Sequence, residues 1–325
     1  MFRVIPTCLT LVIGLAIGWQ FGATTNSVSK SAFSESRGGG FEFINPLLEC
    51  NVFEEGAGFT ELRPFKNKVS KIVDSFIKSG RATHVSVYFR DLNNGPWFGI
   101  NERETFAAGS LLKVPLMITA FRQEELTPGF LNGTLQYKEQ LELPKQYFQQ
   151  ILPKESVEVG STYTVENLVR RAIDYSDNEA TILLYENMDK KLFAKTHADL
   201  GVIFPSDETP EDYISVKNYA SFFRILFNAS YLTREHSEKA LRILNEIDFS
   251  DGLPAGIPRS VKVAHKFGER GEGTKKQLHD CGIIYYPNHP YLLCVMNRGP
   301  RLETLAKNIA EISALVYKEV AEQIR

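Results

Sequence analysis

The stretch Phe106-Ala107-Ala108-Gly109-Ser110-Leu111-Leu112-Lys113-Val114-Pro115-Leu116-Met117 sets a serine where a small-residue loop enters an apolar helix. A helix start offers a hydroxyl free backbone N–H groups and the positive end of a dipole. The i, i+3 spacing puts Lys113 on the same face as Ser110, within proton-transfer reach. A serine hydroxyl is inert until a base removes its proton, and a lysine is such a base only where its pKa is depressed. The S-x-x-K spacing alone selects nothing, because Ser27–Lys30 and Ser75–Lys78 repeat it. Ser27 falls in a polar N-terminal tract and Ser75 inside an amphipathic helix, so context singles out Ser110.

Two further motifs follow along the chain. Ser176-Asp177-Asn178 precedes a helical stretch from Glu179 to Tyr185. Ser and Asp favour helix starts, and a capped turn is a rigid place to hold a hydroxyl. Lys266-Phe267-Gly268 closes a late strand and leads into the glycine-rich Glu269-Arg270-Gly271-Glu272-Gly273. The backbone of such a strand edge can donate an N–H to a developing oxyanion. Lys78-Ser79-Gly80 is a closer literal match to K-[ST]-G, but it precedes Ser110 and reads as a helix C-cap.

Around these motifs, apolar periodicity predicts a helix from Leu62 to Gly80 and strands at His84–Arg90 and Trp97–Ile100, turning at Asn93-Asn94-Gly95. A helix follows from about Ser110 to Arg122, and residues 110–250 read as mainly helical. Val261–Phe267, Gly282–Tyr286 and Leu292–Asn297 read as three late strands. Leu302, Leu305, Ile309, Ile312 and Val316 mark a long closing helix. Two early and three late strands share one sheet only if the middle is an insertion. The expectation is an α/β protein with a five-stranded antiparallel sheet, terminal helices and an inserted all-helical lobe. A cleft between the lobes is the default place for a site.

The 325 residues are 43 % hydrophobic, enough for a sizeable core, which excludes wholesale disorder. Thirty-seven basic against 39 acidic side chains give a net charge of -2, so no nucleic-acid partner is expected. The chain opens with Arg3 and an apolar run from Val4 to Trp19, an export signal or signal anchor over residues 1–22. Residues 23–45 read as a flexible tether ending near Gly38-Gly39-Gly40, and residues 46–325 as one catalytic domain. An exported, extracytoplasmic monomer follows, with a possible N-terminal membrane anchor. Cys281 and Cys294 bracket a hairpin turning at Pro287–Pro290 and are expected not directly opposite, hence buried free thiols. No metal and no organic cofactor is expected, since His279 and Cys281 lack two further ligands at sensible spacing.

The order of the motifs resembles the penicilloyl-serine transferase superfamily, and within it the class A β-lactamase catalytic domain, over residues 62–325. FAAGSLLKVPLM, YSDNEA and HKFGERGEG…HDCGIIYYPNHPYLLCVMNRG carry the resemblance. It implies that Ser110 is acylated, Lys113 takes its proton and Ser176 passes a proton to the leaving nitrogen. Asn178 would hold substrate and Lys113, while Lys266 would attract a substrate carboxylate. The N–H groups of Ser110 and Glu269 would form an oxyanion hole, with Gly268, Glu269 and Arg270 beside the substrate. The substrate would be a β-lactam or a peptidoglycan-like amide.

Two residues depart from the family. Its β-lactamases carry a loop glutamate in an E-x-x-x-N pattern that activates the deacylating water. Here Glu208 is followed four residues later by Asp212, and Glu211 by Ser215, in a loop that reads as shortened. Phe267 stands where the family has a hydroxyl that binds the substrate carboxylate. Weak deacylation is therefore expected. The competing readings are a non-catalytic wall-binding or scaffold protein on the same fold, and a Ser-His-Asp hydrolase, for which no G-x-S-x-G exists.

Overall fold

The computed structural model of the chain describes residues 34–37, 40–51, 62–93, 95–141, 149–204, 206, 208–271 and 273–323. Glu35–Glu49 and Gly58–Arg325 form one compact unit. The other unit, Met1–Ser34 with Cys50–Ala57, lies almost wholly outside the described residues, as do residues 1–22, which the sequence reads as an export signal or anchor. Among the described residues no helix is long and apolar enough to cross a membrane.

Helix α1, Arg63–Lys78, starts with Pro64 in its first turn and buries Phe65, Val69, Val73 and Phe76 at helical spacing. It ends before Gly80, whose φ of +73° stops the helix in the left-handed region. Strands β1 (His84–Asp91) and β2 (Trp97–Ile100) follow, and β3 (Val263–Arg270), β4 (Lys276–Ile284) and β5 (Tyr291–Gly299) come late. They form one antiparallel sheet in the order β2-β1-β5-β4-β3, so the early hairpin joins the late strands through β1 and β5. This is the five-stranded sheet the sequence predicted. Sheet residues alternate between two cores. Val85, Val87, Phe89, Leu293 and Val295 meet α1 and the closing helix α8, Leu302–Gln323. Tyr88, Ile283, Leu292 and Met296 join the core of the helical lobe.

The inserted lobe carries α2 (Lys113–Leu126), α3 (Val165–Asp174), α4 (Asn178–Glu186), α5 (Lys190–Asp199), α6 (Val216–Phe227) and α7 (Arg234–Leu244). Helix α2 buries every residue from Lys113 to Phe121, so it is a core helix rather than an amphipathic one. Side-chain caps start α3 (Thr164), α4 (Asp177), α5 (Asp189), α6 (Ser215) and α7 (Thr233).

The structure corrects two expectations. Cys281 and Cys294 are directly opposite in the β4–β5 register and are joined as a disulfide. The register runs from Ile284 against Tyr291, so the turn is longer than the Pro287–Pro290 reading assumed and brings the two cysteines level. The last residues assigned to the tether are also docked. Phe43 and Ile44 are buried, Glu238 accepts the N–H groups of Glu42, Phe43 and Ile44, and Asn45 donates to the Phe227 carbonyl. The folded body therefore reaches back to Glu42 rather than starting at residue 46.

Candidate active site

Ser110 sits half-buried in a 3₁₀ turn, Gly109–Leu112, that runs directly into α2. The turn is held from several sides. The strand residue before it, Ala107, donates its N–H to Gln277 Oε1 at 3.1 Å, while His279 Nε2 donates to its carbonyl at 3.0 Å. Tyr219 donates its hydroxyl to the Leu111 carbonyl at 3.0 Å. Gly109 has φ +52°, and a Cβ there would meet the Glu269 carbonyl oxygen at 2.4 Å. A Cβ on Gly268 would meet Leu111 Cγ at 2.8 Å and the Leu111 nitrogen at 3.0 Å. Two glycines thus let the Ser110 turn and the edge strand β3 approach backbone to backbone.

Lys113 lies one turn into the helix, 4 % exposed. Its Nζ donates to the Ser176 carbonyl at 2.6 Å, to Ser176 Oγ at 3.1 Å and to Asn178 Oδ1 at 2.7 Å. Lys266, fully buried, places its Nζ 3.0 Å from the same Ser176 Oγ. One hydroxyl therefore bridges two lysines. Burial holds the Lys113 amine well below the usual lysine range, and the neighbouring Lys266 charge adds to it against the opposing Asp177 and Glu269. Burial brings Lys266 down to about 7, against the pull of Asp280, Asp174 and Glu269. An amine depressed in this way can stand neutral and take a proton.

Ser176 is itself in an unusual conformation, with φ +56° in a residue that has a side chain. Asp177 pins the turn. Its Oδ1 accepts the N–H groups of Glu179 and Ala180, and its Oδ2 accepts that of Val157 at 2.9 Å. Gln149 Nε2 donates to the Ser176 carbonyl at 2.9 Å. Strain at a hydroxyl so heavily fixed is characteristic of a site where geometry is maintained against local preference.

The residues expected beside a substrate fall as follows. Gly268 and Glu269 line the strand edge against the Ser110 turn. Arg270 donates through Nε to Glu211 Oε1 at 2.8 Å. Phe267 is buried and stacks on Phe249 at 4.3 Å, with the Lys266 ammonium 4.1 Å from its ring centroid. Glu208 and Glu211 are both exposed. The carboxylates whose charge acts on Lys113 are Asp177 and Glu269, and neither belongs to that loop. Among the described residues no three His, Cys, Asp or Glu side chains gather as metal ligands.

Sequence reading missed four contributing side chains. Asp174 closes α3 beside the site, and burial raises its carboxyl to about 7 while Lys266 and Arg170 oppose the rise. Gln277 and His279 lie inside β4 and clamp Ala107. The Glu269 side chain, expected only to contribute its backbone and a substrate contact, is 8 % exposed and turns inward. The one available signal was polar residues in strands otherwise filled with apolar ones.

The beta-lactamase enzyme family matches the chain over residues 64–320. A search of curated proteins finds no match. Among solved structures, PBP-A superposes with a TM-score of 0.66 at 20 % identity, covering 79 % of this chain and 96 % of its own. A beta-lactamase from Sphaerobacter thermophilus gives 0.67 at 20 %, covering 79 % and 97 %. The class A beta-lactamase from Mycobacterium abscessus gives 0.65 at 20 %, covering 78 % and 99 %. With the family matched over most of its length, this chain belongs to the beta-lactamase enzyme family.

Proposed function

We propose that the protein is an exported serine hydrolase or acyltransferase that forms an acyl-enzyme on Ser110 with a β-lactam or a cell-wall-like amide, and that releases the acyl group slowly. The observation that carries this reading is the Ser176 hydroxyl shared between the buried amines of Lys113 and Lys266. Neutral Lys113 takes the proton of Ser110 as its oxygen bonds to the substrate carbonyl carbon. The oxyanion is received by the backbone N–H groups of Ser110 and Glu269. Ser176 then gives a proton to the leaving nitrogen as the C–N bond breaks, and recovers one from the lysine side, leaving an ester on Ser110. Lys113 must be neutral for the first step, so acylation should fall as the pH drops through its lowered pKa.

Release needs an activated water, and the loop glutamates are exposed, with Glu211 engaged by Arg270. A missing general base costs roughly 10²–10⁴-fold. The test is time-resolved intact mass of the chain from about Phe41 mixed with a penicillin, beside Ser110→Ala. A lasting Ser110-dependent adduct is the expected result. An adduct that clears while penicillin is consumed would mean an efficient β-lactamase. No adduct at any time would move the assignment to a non-catalytic member of the family.

A further inference from the structure

We infer that Tyr219 is a positioning residue for Ser110: its hydroxyl gives the Leu111 carbonyl the hydrogen bond that Pro115 withholds, and so fixes the exit of the turn that carries the serine. The inference rests on Ser110 being the acylated residue and goes further by naming what holds that residue in place.

A carbonyl at the start of an α-helix accepts the N–H four residues further on. For Leu111 that residue is Pro115, and proline has no N–H to give. The Lys113 N–H is divided between the carbonyls of Ser110 and Leu111, the tighter pattern of a 3₁₀ turn. Leu111 is wholly buried and Pro115 is buried beside it, so water is not the missing donor. Tyr219, also wholly buried, fills the gap with its O–H at 3.0 Å. Burial holds the phenol well above its usual range, with the Asp280 charge adding to it, so the group stays an O–H donor at neutral pH.

A short ladder brings the tyrosine to this point. Thr105–Ala107 pairs antiparallel with Asp212–Ser215. The first of these strands runs on into the Ser110 turn, and the second runs directly into α6, where Tyr219 lies four residues after the Ser215 cap. The entry to the turn is held separately, at Ala107, by Gln277 and His279 of β4. Its exit, at Leu111, is held from α6 by the one tyrosine hydroxyl.

The exit matters because Lys113 comes two residues later. From there its Nζ has to meet the Ser176 carbonyl, Ser176 Oγ and Asn178 Oδ1. A Leu111 carbonyl left buried without its donor is costly, and the turn relieves that cost by shifting. Such a shift moves Ser110 and Lys113 away from the hydroxyl they work with, where an error of about 1 Å costs on the order of 100-fold in rate.

Acylation of Ser110 by benzylpenicillin, followed by quenched intact mass over a range of penicillin concentrations, separates the limiting acylation rate from the affinity of the first complex. Tyr219→Phe keeps the ring and removes the hydroxyl. It should lower the limiting rate about 10- to 100-fold and leave the affinity within about twofold. Pro115→Ala restores an N–H four residues after Leu111, so the double variant should acylate within about twofold of Pro115→Ala alone, one donor standing in for the other. A hydroxyl that only props the core would lower the denaturation midpoint of Tyr219→Phe and leave the limiting rate of the folded chain at the wild-type value. That result overturns the inference while Ser110 acylation stands. A double variant slower than Pro115→Ala by about tenfold or more overturns it as well, and this comparison is readable even if Tyr219→Phe alone folds poorly. No adduct on the wild-type chain overturns the acylation reading itself, and this inference with it.

Discussion

At the scale of single residues, the candidate site joins glycines that permit close approach to two buried lysines that share the Ser176 hydroxyl. Ser110, Lys113, Ser176 and Lys266 were legible in the sequence because their local context is chemical: a helix entrance, a capped turn and a strand end. The Glu269 side chain was not, because nothing local says which way a strand-end residue turns once a distant loop offers it two N–H groups. Gly109 gives the sharpest residue-level test. Its φ of +52° and the 2.4 Å approach to the Glu269 carbonyl leave no room for a methyl group. Gly109→Ala should cost about 1–3 kcal/mol in backbone strain alone, and should slow Ser110 acylation more than it lowers the melting temperature would suggest. Paired denaturant titrations and acylation rates read the two effects separately. A chain that keeps wild-type acylation would show that the turn does not need its contact with β3.

At the scale of elements, the sequence located all five strands but cut the late ones short. β4 begins at Lys276 and not at Gly282, and β3 runs on to Arg270. Most of the omitted residues of β4 are polar, and their partners come from far along the chain. Gln277 bonds Ala107 and Asp212, His279 bonds Ala107, and Asp280 takes His265 and the Leu253 N–H. Periodicity cannot register a polar residue that tertiary contacts make welcome inside a sheet. His279 turns this into a pH prediction. Burial lowers its pKa from 6.5 to about 4. The unfolded chain therefore binds a proton below pH 6.5 that the folded chain refuses until about 4, and stability falls across that window as pH drops. A shift of this size corresponds to about 3 kcal/mol, fully lost below pH 4. Urea unfolding at pH 7 and pH 4.5 should show a smaller acid loss in His279→Gln than in wild type, since the remaining carboxylates titrate in both. Equal losses would mean that His279 takes up its proton in the fold as readily as in the unfolded chain.

At the scale of the whole folded body, the N-terminal approach segment joins parts that the chain keeps far apart. Glu238 and Arg242 of α7, Phe227 of α6, and Tyr285 and Lys262 from the sheet side all meet residues 42–45. The Tyr285 hydroxyl donates to the Phe43 carbonyl at 2.9 Å while the two rings meet edge to face at 5.3 Å. The segment was read as tether because it follows three glycines and is too short to show a period; only its partners, about 200 residues on, reveal it as packed. Burying Phe43 and Ile44 should contribute about 1.5–3 kcal/mol each, before the ordering of four residues is subtracted. Two truncations separate the readings: one chain starting at Phe41 and one at Pro46. If residues 42–45 brace the helical lobe against the sheet, the shorter chain should unfold at lower denaturant by several kcal/mol. It should also expose the α6–α7 side to hydrogen exchange before α1 and α8. Because Ser110 heads α2 of the helical lobe while Lys266 lies on β3 of the sheet, Ser110 acylation should slow in the shorter chain even under conditions where it remains folded. Equal midpoints for both chains would return residues 42–45 to the tether.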